Sequence, residues 1–463
     1  MSKLEQKNGL YGFLLNEKYN MAAVIIYITF FLVISPLIPG VYWFKIGDFS
    51  LDMINWYHVI MIPFTFILIL YTARLLGLDR FTRYAINAST YPILFFTTLG
   101  LAFFYPASTQ TADYVVQAIR DVWILIIAFI FFVSLIVTAI RQREKFKKIW
   151  GAYVLIILAT LSAGLAAVMG MIGEYGTLYG FSAIPSFNNL VISWGGTATF
   201  LDNIIGNHNH QMLPAVMGGI VGVAAVSFGY HRLEGWKRHV VNAGMIISTF
   251  GVISMTYLYE ISSFGTYAIP AIAPFGPSGM NGLALDDNQT GIIGWGALIS
   301  IIGLYYILSH RKTDRIIQIG EVFTWLVTMA VMIGVGYTIE FNEVFYGFGS
   351  PGAPPNGGPG YQYDLAFTNG HLIFSFFLMP LIAGIILVLL HYVSGLERGK
   401  QLAMLFIFSG ALIAAQGVLI YTMTLSWGVE AIGVVLLIIA MIIISALMVR
   451  SGKNLNAEQE LDI

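Results

Sequence analysis

Runs of about twenty apolar residues, the length an α-helix needs to cross the hydrocarbon core of a bilayer, recur along this 463-residue chain and leave it few ways to fold. Twelve such runs lie near 21–39, 57–77, 89–107, 119–140, 150–172, 208–229, 239–259, 291–308, 317–339, 370–393, 402–424 and 429–449. Composition agrees. Hydrophobic residues make up 57% of the chain and charged ones only 10%, with a mean hydropathy of +0.78, whereas an ordinary soluble domain is about 25% charged. The expected fold is all-α and integral to the membrane, a single polytopic domain over residues 1–463. The first run begins after a polar stretch and lacks a small-residue cleavage site, so it reads as a span rather than a leader.

Orientation follows from the basic residues, which collect on the cytoplasmic side of membrane proteins. With the N-terminus inside, all of the 23 Lys and Arg except Lys45 and Arg120 fall in cytoplasmic segments or at their edges. "RQREKFKK" at 141–148 and "HRKTDR" at 310–315 are the densest clusters. This predicts a multi-pass protein of the cell membrane with both termini cytoplasmic and long outer connections near 173–207, 260–290 and 340–369. A net charge of -1 and the lack of a basic stripe exclude nucleic acid as a partner. The bilayer is the expected environment.

Cysteine is absent, which excludes disulfides, iron–sulfur clusters, thiolate metal sites and covalent c-type haem attachment. Any metal or cofactor must be held by His, Met, carboxylate or backbone groups. Four of the eight histidines, His231, His239, His310 and His391, sit beside basic residues at cytoplasmic ends and read as interfacial. The other four, His58, His208, His210 and His371, lie at outer ends of spans two, six and ten. Their contexts, "NWYHVIMIP", "GNHNHQMLP" and "TNGHLIFSFFLMP", each place His after a polar or aromatic lead and before a Pro. The interval is four spans each time, so the chain reads as three pseudo-repeats of four helices, about 21–140, 150–308 and 317–449.

Ionisable groups near the apolar core are functional candidates, and neutral imidazole is the commonest metal ligand. A tight zinc or copper site needs three or four donors within about 2 to 2.3 Å of one ion. A haem instead takes two axial ligands on opposite faces, about 4 Å apart at metal–imidazole bonds of about 2 Å. Residues two apart on a helix differ by about 200°, so His208 and His210 would serve two centres on opposite sides of span six, with His58 and His371 as the opposing ligands. The expected cofactors are two b-type haems; copper is not favoured. Each ligating imidazole should have its second nitrogen fixed by a backbone carbonyl or a polar neighbour such as Asn207 or Asn369.

Twelve spans with both termini inside, a pseudo-threefold repeat and outer-end histidines on spans two, six and ten resemble subunit I of the haem-copper oxidase superfamily. The resemblance implies that His58 matches the family's span-two haem ligand and that His371 is similar to one of its two on span ten. The motifs depart from the oxidases. Span six reads "HNHQMLP" without a His-x-x-x-Tyr pairing, no adjacent histidines precede span seven, and "SWGV" at 426–429 lacks the paired arginines that meet haem propionates. Lys45 and Arg120 are the only outer cations left for that purpose. The chain looks closer to non-oxidase relatives such as NnrS-like membrane haem proteins and the cytochrome b components of archaeal respiratory assemblies.

The functional expectation is a membrane b-type cytochrome passing electrons near the outer face. Its partners would be a quinol, a redox carrier protein on the outer side, or other respiratory subunits. Glu321 and Gln416 do not make a proton file, and Tyr257 and Tyr259 beside Glu260 read as an aromatic belt. Two alternatives remain: a terminal oxidase or nitric oxide reductase subunit I with unusual copper ligation, and a twelve-helix secondary transporter with a midplane site.

Overall fold

The computed structural model describes residues 15–34, 51–100, 110–180, 196–253, 395–424 and 428–451, with isolated positions within 188–192, 292–300, 317–323 and 390–393. Its described elements are all helical. In chain order they are α1 (Glu17–Ile34), α2 (Leu51–Leu75), α3 (Arg80–Thr97), α4 (Gln110–Arg141), α5 (Trp150–Tyr179), α6 (Thr197–Ser227), α7 (Gly235–Ile253), α8 (Glu397–Thr424) and α9 (Gly428–Arg450). Stretches of α1, α2, α4, α5, α8 and α9 are long and apolar enough to cross a membrane. The spans expected near 291–308, 317–339 and 370–393 lie largely outside the described residues.

Local chemistry sets where the helices stop. After α2, Gly77 takes a left-handed conformation (φ 64°) and its N–H reaches back to the Arg74 carbonyl, while Leu78 N–H donates to Ala73; glycine adopts this backbone without a Cβ penalty. Asp79 then caps α3, its carboxylate accepting from the Thr82 N–H at 3.0 Å and the Thr82 hydroxyl at 2.7 Å. Ser134 of α4 donates to the same carboxylate at 2.8 Å, tying α4 to the α2–α3 turn.

Several boundaries differ from the sequence expectation, α4 starting at Gln110 rather than near 119 among them. Helix α3 starts at Arg80 rather than near 89, α5 continues to Tyr179, and α6 starts at Thr197 rather than near 208. Hydropathy finds only the apolar part of a helix, whereas backbone hydrogen bonding carries polar residues such as Asn203 into the same rod. In α6 the stretch Ala215–Ser227 is apolar. His208 and His210 sit upstream of it within the same continuous helix.

Packing closes α2, α3, α4, α5 and α6 into a ring: α2 touches α3 and α6, α5 touches α4 and α6, and α3 touches α4. Helix α7 leans on α5 and α6, and the α8–α9 pair joins the body through α9 against α1. The ring buries Ile60, Phe64 and Ile67 of α2, Phe131 and Leu135 of α4, and Val221 and Ala224 of α6. Outward, α4 exposes Val122, Trp123, Ile126 and Phe129. A contiguous apolar face of this kind suits contact with lipid tails.

Candidate functional site

His58 of α2 and His208 of α6 face each other inside the ring, their Nε2 atoms 3.4 Å apart. The ring centroids are 5.7 Å apart and the planes differ by 32°. Helix α5 fixes the second imidazole: His208 Nδ1 lies 2.7 Å from the Ala166 carbonyl oxygen. That oxygen can only accept, so Nδ1 carries the proton and the Nε2 lone pair is presented toward His58. Gly170, one turn further along α5, makes room for the arrangement. A Cβ there would stand 3.3 Å from both Cε1 and Nδ1 of His208 and 3.4 Å from Oδ2 of Asp121.

Beside the histidines runs a cavity of about 310 Å³ lined by the five ring helices. Its lining residues recur at helical spacing, as in Tyr114, Gln117, Asp121, Ile124, Ile127 and Phe131 along α4. Polar groups gather at the histidine level. There Arg120 Nε meets Asp121 Oδ1 at 2.8 Å, both side chains buried. Below that level the wall is aliphatic and aromatic, with small residues Ala159, Ala163 and Gly219 from α5 and α6. The threonines in this stretch do not make it polar. Thr65, Thr72 and Thr160 each donate their hydroxyl to the carbonyl four residues back, at 3.0, 2.6 and 2.8 Å.

Of the expected ligands, the structure thus brings His58 and His208 together; the His210 side chain and His371 lie outside the described residues. So do Lys45, the Asn207 side chain, Asn369, Tyr257, Tyr259, Glu260, His310, Glu321 and His391. The second nitrogen of His208 is held by a backbone carbonyl of the neighbouring helix. Arg120 is not a surface cation, because its guanidinium is drawn into the cavity wall by Asp121. His231 is buried too, in a short 3₁₀ turn (Tyr230–Arg232), while His239 is exposed. Gln416 lies on the exposed side of α8.

Asp121, Gly170 and the Ala166 carbonyl escaped the sequence reading. A visible signal existed for the first: the Arg120-Asp121 dipeptide interrupts an apolar run, where charge is costly unless paired. Among the described residues no three His, Asp or Glu side chains converge as a metal-binding group. The two imidazoles of His58 and His208 meet there instead. Compared with known proteins, the chain matches no family model, no curated protein and no solved structure. The fold and site define a class: an all-helical protein with helices suited to a lipid bilayer and a histidine-walled cavity among them.

Proposed function

We propose that this chain is a membrane b-type cytochrome, a divergent non-oxidase relative of haem-copper oxidase subunit I with twelve spans and both termini cytoplasmic. It would carry electrons near the outer face of the cell membrane, between a quinol or a carrier protein and another respiratory subunit. The observation that supports this most directly is the 3.4 Å approach of the His58 and His208 Nε2 atoms.

This donor set suits an iron porphyrin. His58 and His208 would hold it, the two imidazoles parting from their 3.4 Å hydrogen-bonding contact to admit the iron. His210 and His371 would hold a second. A haem bound there supplies a one-electron carrier, iron cycling between ferric and ferrous. Ala166 fixes the His208 tautomer and keeps Nε2 a donor. Gly170 leaves room for the edge of the imidazole close to α5. The apolar walls exclude water, and the buried Arg120–Asp121 pair keeps the polar end of the cavity neutral overall.

A pyridine haemochrome assay with metal analysis on the purified chain tests the reading, with two haems and no copper expected. A colourless protein overturns it. One copper per chain beside a haem that binds carbon monoxide transfers the assignment to the oxidase class, and transport without pigment transfers it to the carriers.

A further inference from the structure

We infer that the end of the bundle where α4 stops and α5 and α7 begin is a docking surface for an anionic glycerophospholipid. Its phosphate would lie among Arg141, Arg143, Lys147 and Lys148, with the acyl chains along the outer face of α4. This goes beyond the redox reading and does not depend on a haem.

The first observation is that two basic segments far apart in sequence meet in one surface. Segment 141–148 leads into α5, and segment 232–239 spans the start of α7. The Gly151 N–H of α5 donates to Asn242 Oδ1 of α7 at 2.8 Å, and the Ala152 N–H to the Tyr230 hydroxyl at 3.3 Å. Asn242 in turn donates its side-chain amide to the Arg238 carbonyl at 3.0 Å. A Cβ on Gly151 would stand 2.7 Å from the Asn242 carbonyl oxygen, so the two helix starts touch through their backbones. The joined segments hold eight Lys and Arg against only Glu144 and Glu234, in a chain whose net charge is -1. Arg141, Arg143, Lys147, Lys148 and Arg232 are all exposed. Each cation held near an anionic bilayer surface tightens association roughly fivefold.

The second observation is what adjoins the charge. Phe129, Val133, Ile136 and Ile140 of α4 are exposed at spacings of four, three and four residues, one face of the helix, and the stripe ends at Arg141. From Phe129 to Ile140 it runs about 16 Å, the hydrocarbon depth of one leaflet. Trp150 and Trp236, at the starts of α5 and α7, are exposed as well, and tryptophan marks the headgroup level of a bilayer. Cations, indoles and aliphatic stripe thus follow one another in the order of phosphate, glycerol and acyl chain. Free phosphate would meet the cations alone. Only a phosphate joined to hydrocarbon uses all three.

Photo-crosslinking tests the proposal, with the purified full chain in phosphatidylcholine nanodiscs carrying a small fraction of diazirine-bearing phosphatidylglycerol. Mass spectrometry of the labelled peptides is the readout. Labelling within 129–150 and 230–239 should exceed that by the same probe with a choline head about tenfold or more, and should fall as sodium chloride is raised. Combining Arg143→Gln, Lys147→Gln and Lys148→Gln should cut this preference about fivefold or more, whereas Arg398→Gln, on α8, should leave it unchanged. Equal labelling by the two headgroups, a preference indifferent to the triple substitution, or displacement by inorganic phosphate at matched ionic strength overturns the proposal. Displacement by soluble polyglutamate at matched ionic strength also overturns it and assigns the surface to an acidic protein. The headgroup comparison and the competition series on the unaltered chain decide even if the triple variant fails to fold.

Discussion

Gly170 of α5 lies so close to His208 of α6 that a Cβ on it would come within 3.3 Å of the imidazole. Gly170→Ala should raise intrinsic helix propensity by about 1 kcal/mol, yet push the ring a few tenths of an ångström away from the Ala166 carbonyl. Supporting groups of this kind change metal affinity about 10- to 100-fold. The variant should melt no lower than the parent but retain less haem through purification, with an altered low-spin EPR spectrum. An unchanged haem ratio and spectrum would detach Gly170 from the site.

His58→Ala and His208→Ala should each remove the same haem. Pyridine haemochrome assays should show one haem lost from either single variant and no further loss in the double variant, because the two imidazoles act as a unit. His208→Ala also removes the hydrogen bond to the Ala166 carbonyl, at a stability cost of about 0.5 to 1.5 kcal/mol. His231→Ala, in the 3₁₀ turn beyond the far end of α6, should keep the full complement. Independent loss of two different spectra from the two singles would contradict the pairing.

Asp79 gives the fold an acid-sensitive joint between α2, α3 and α4. Desolvation pulls its carboxyl upward, but hydrogen bonds from the Thr82 hydroxyl and N–H, the Ser134 hydroxyl and the Phe81 N–H outweigh it and hold the group below its ordinary value of 3.8. A depressed folded value means stability that is fully present above 3.8 and lost as pH falls through the lower folded value. Asp79→Asn should flatten this acid limb of the melting curve. Asp79→Ala should cost about 1 to 2 kcal/mol at neutral pH through the lost cap. A melting temperature with the same acid dependence in parent and Asn variant would assign the limb to other groups.

Gly433 of α9 presses against the backbone of Ala414 on α8, and a Cβ at that position would collide with Ala414 N, Cα and Cβ. Small residues permit this approach of helix backbones. Gly433→Leu should separate the pair and sharply reduce the yield of monodisperse protein. Haem per folded chain should hold, since α8 and α9 contribute nothing to the described cavity wall. Loss of haem from the surviving folded fraction would mean that the hairpin supports the site.

The helical, bilayer-suited character of the chain was legible because hydrophobic period and length are averaged over whole spans. The meeting of His58 and His208 was legible too, because both stand out as imidazoles on the margins of apolar runs. What escaped is what depends on neighbours far apart in sequence. Nothing near Ala166 announces that its carbonyl will meet His208, 42 residues on. Arg120 read as an outer cation open to propionates because a charge scan cannot see that Asp121 turns with it into the ring. The start of α6 at Thr197 was hidden because polar residues continue a helix without contributing to hydropathy.

Helix α6 runs without a break from Thr197 to Ser227, and His208 stands about 30 Å from its far end at 1.5 Å per residue. A rod of that length acts as a lever. A tilt of a few degrees at the Tyr230–Arg232 turn would swing the imidazole sideways by an ångström or more, so how that distant turn is packed bears directly on how closely His58 and His208 meet.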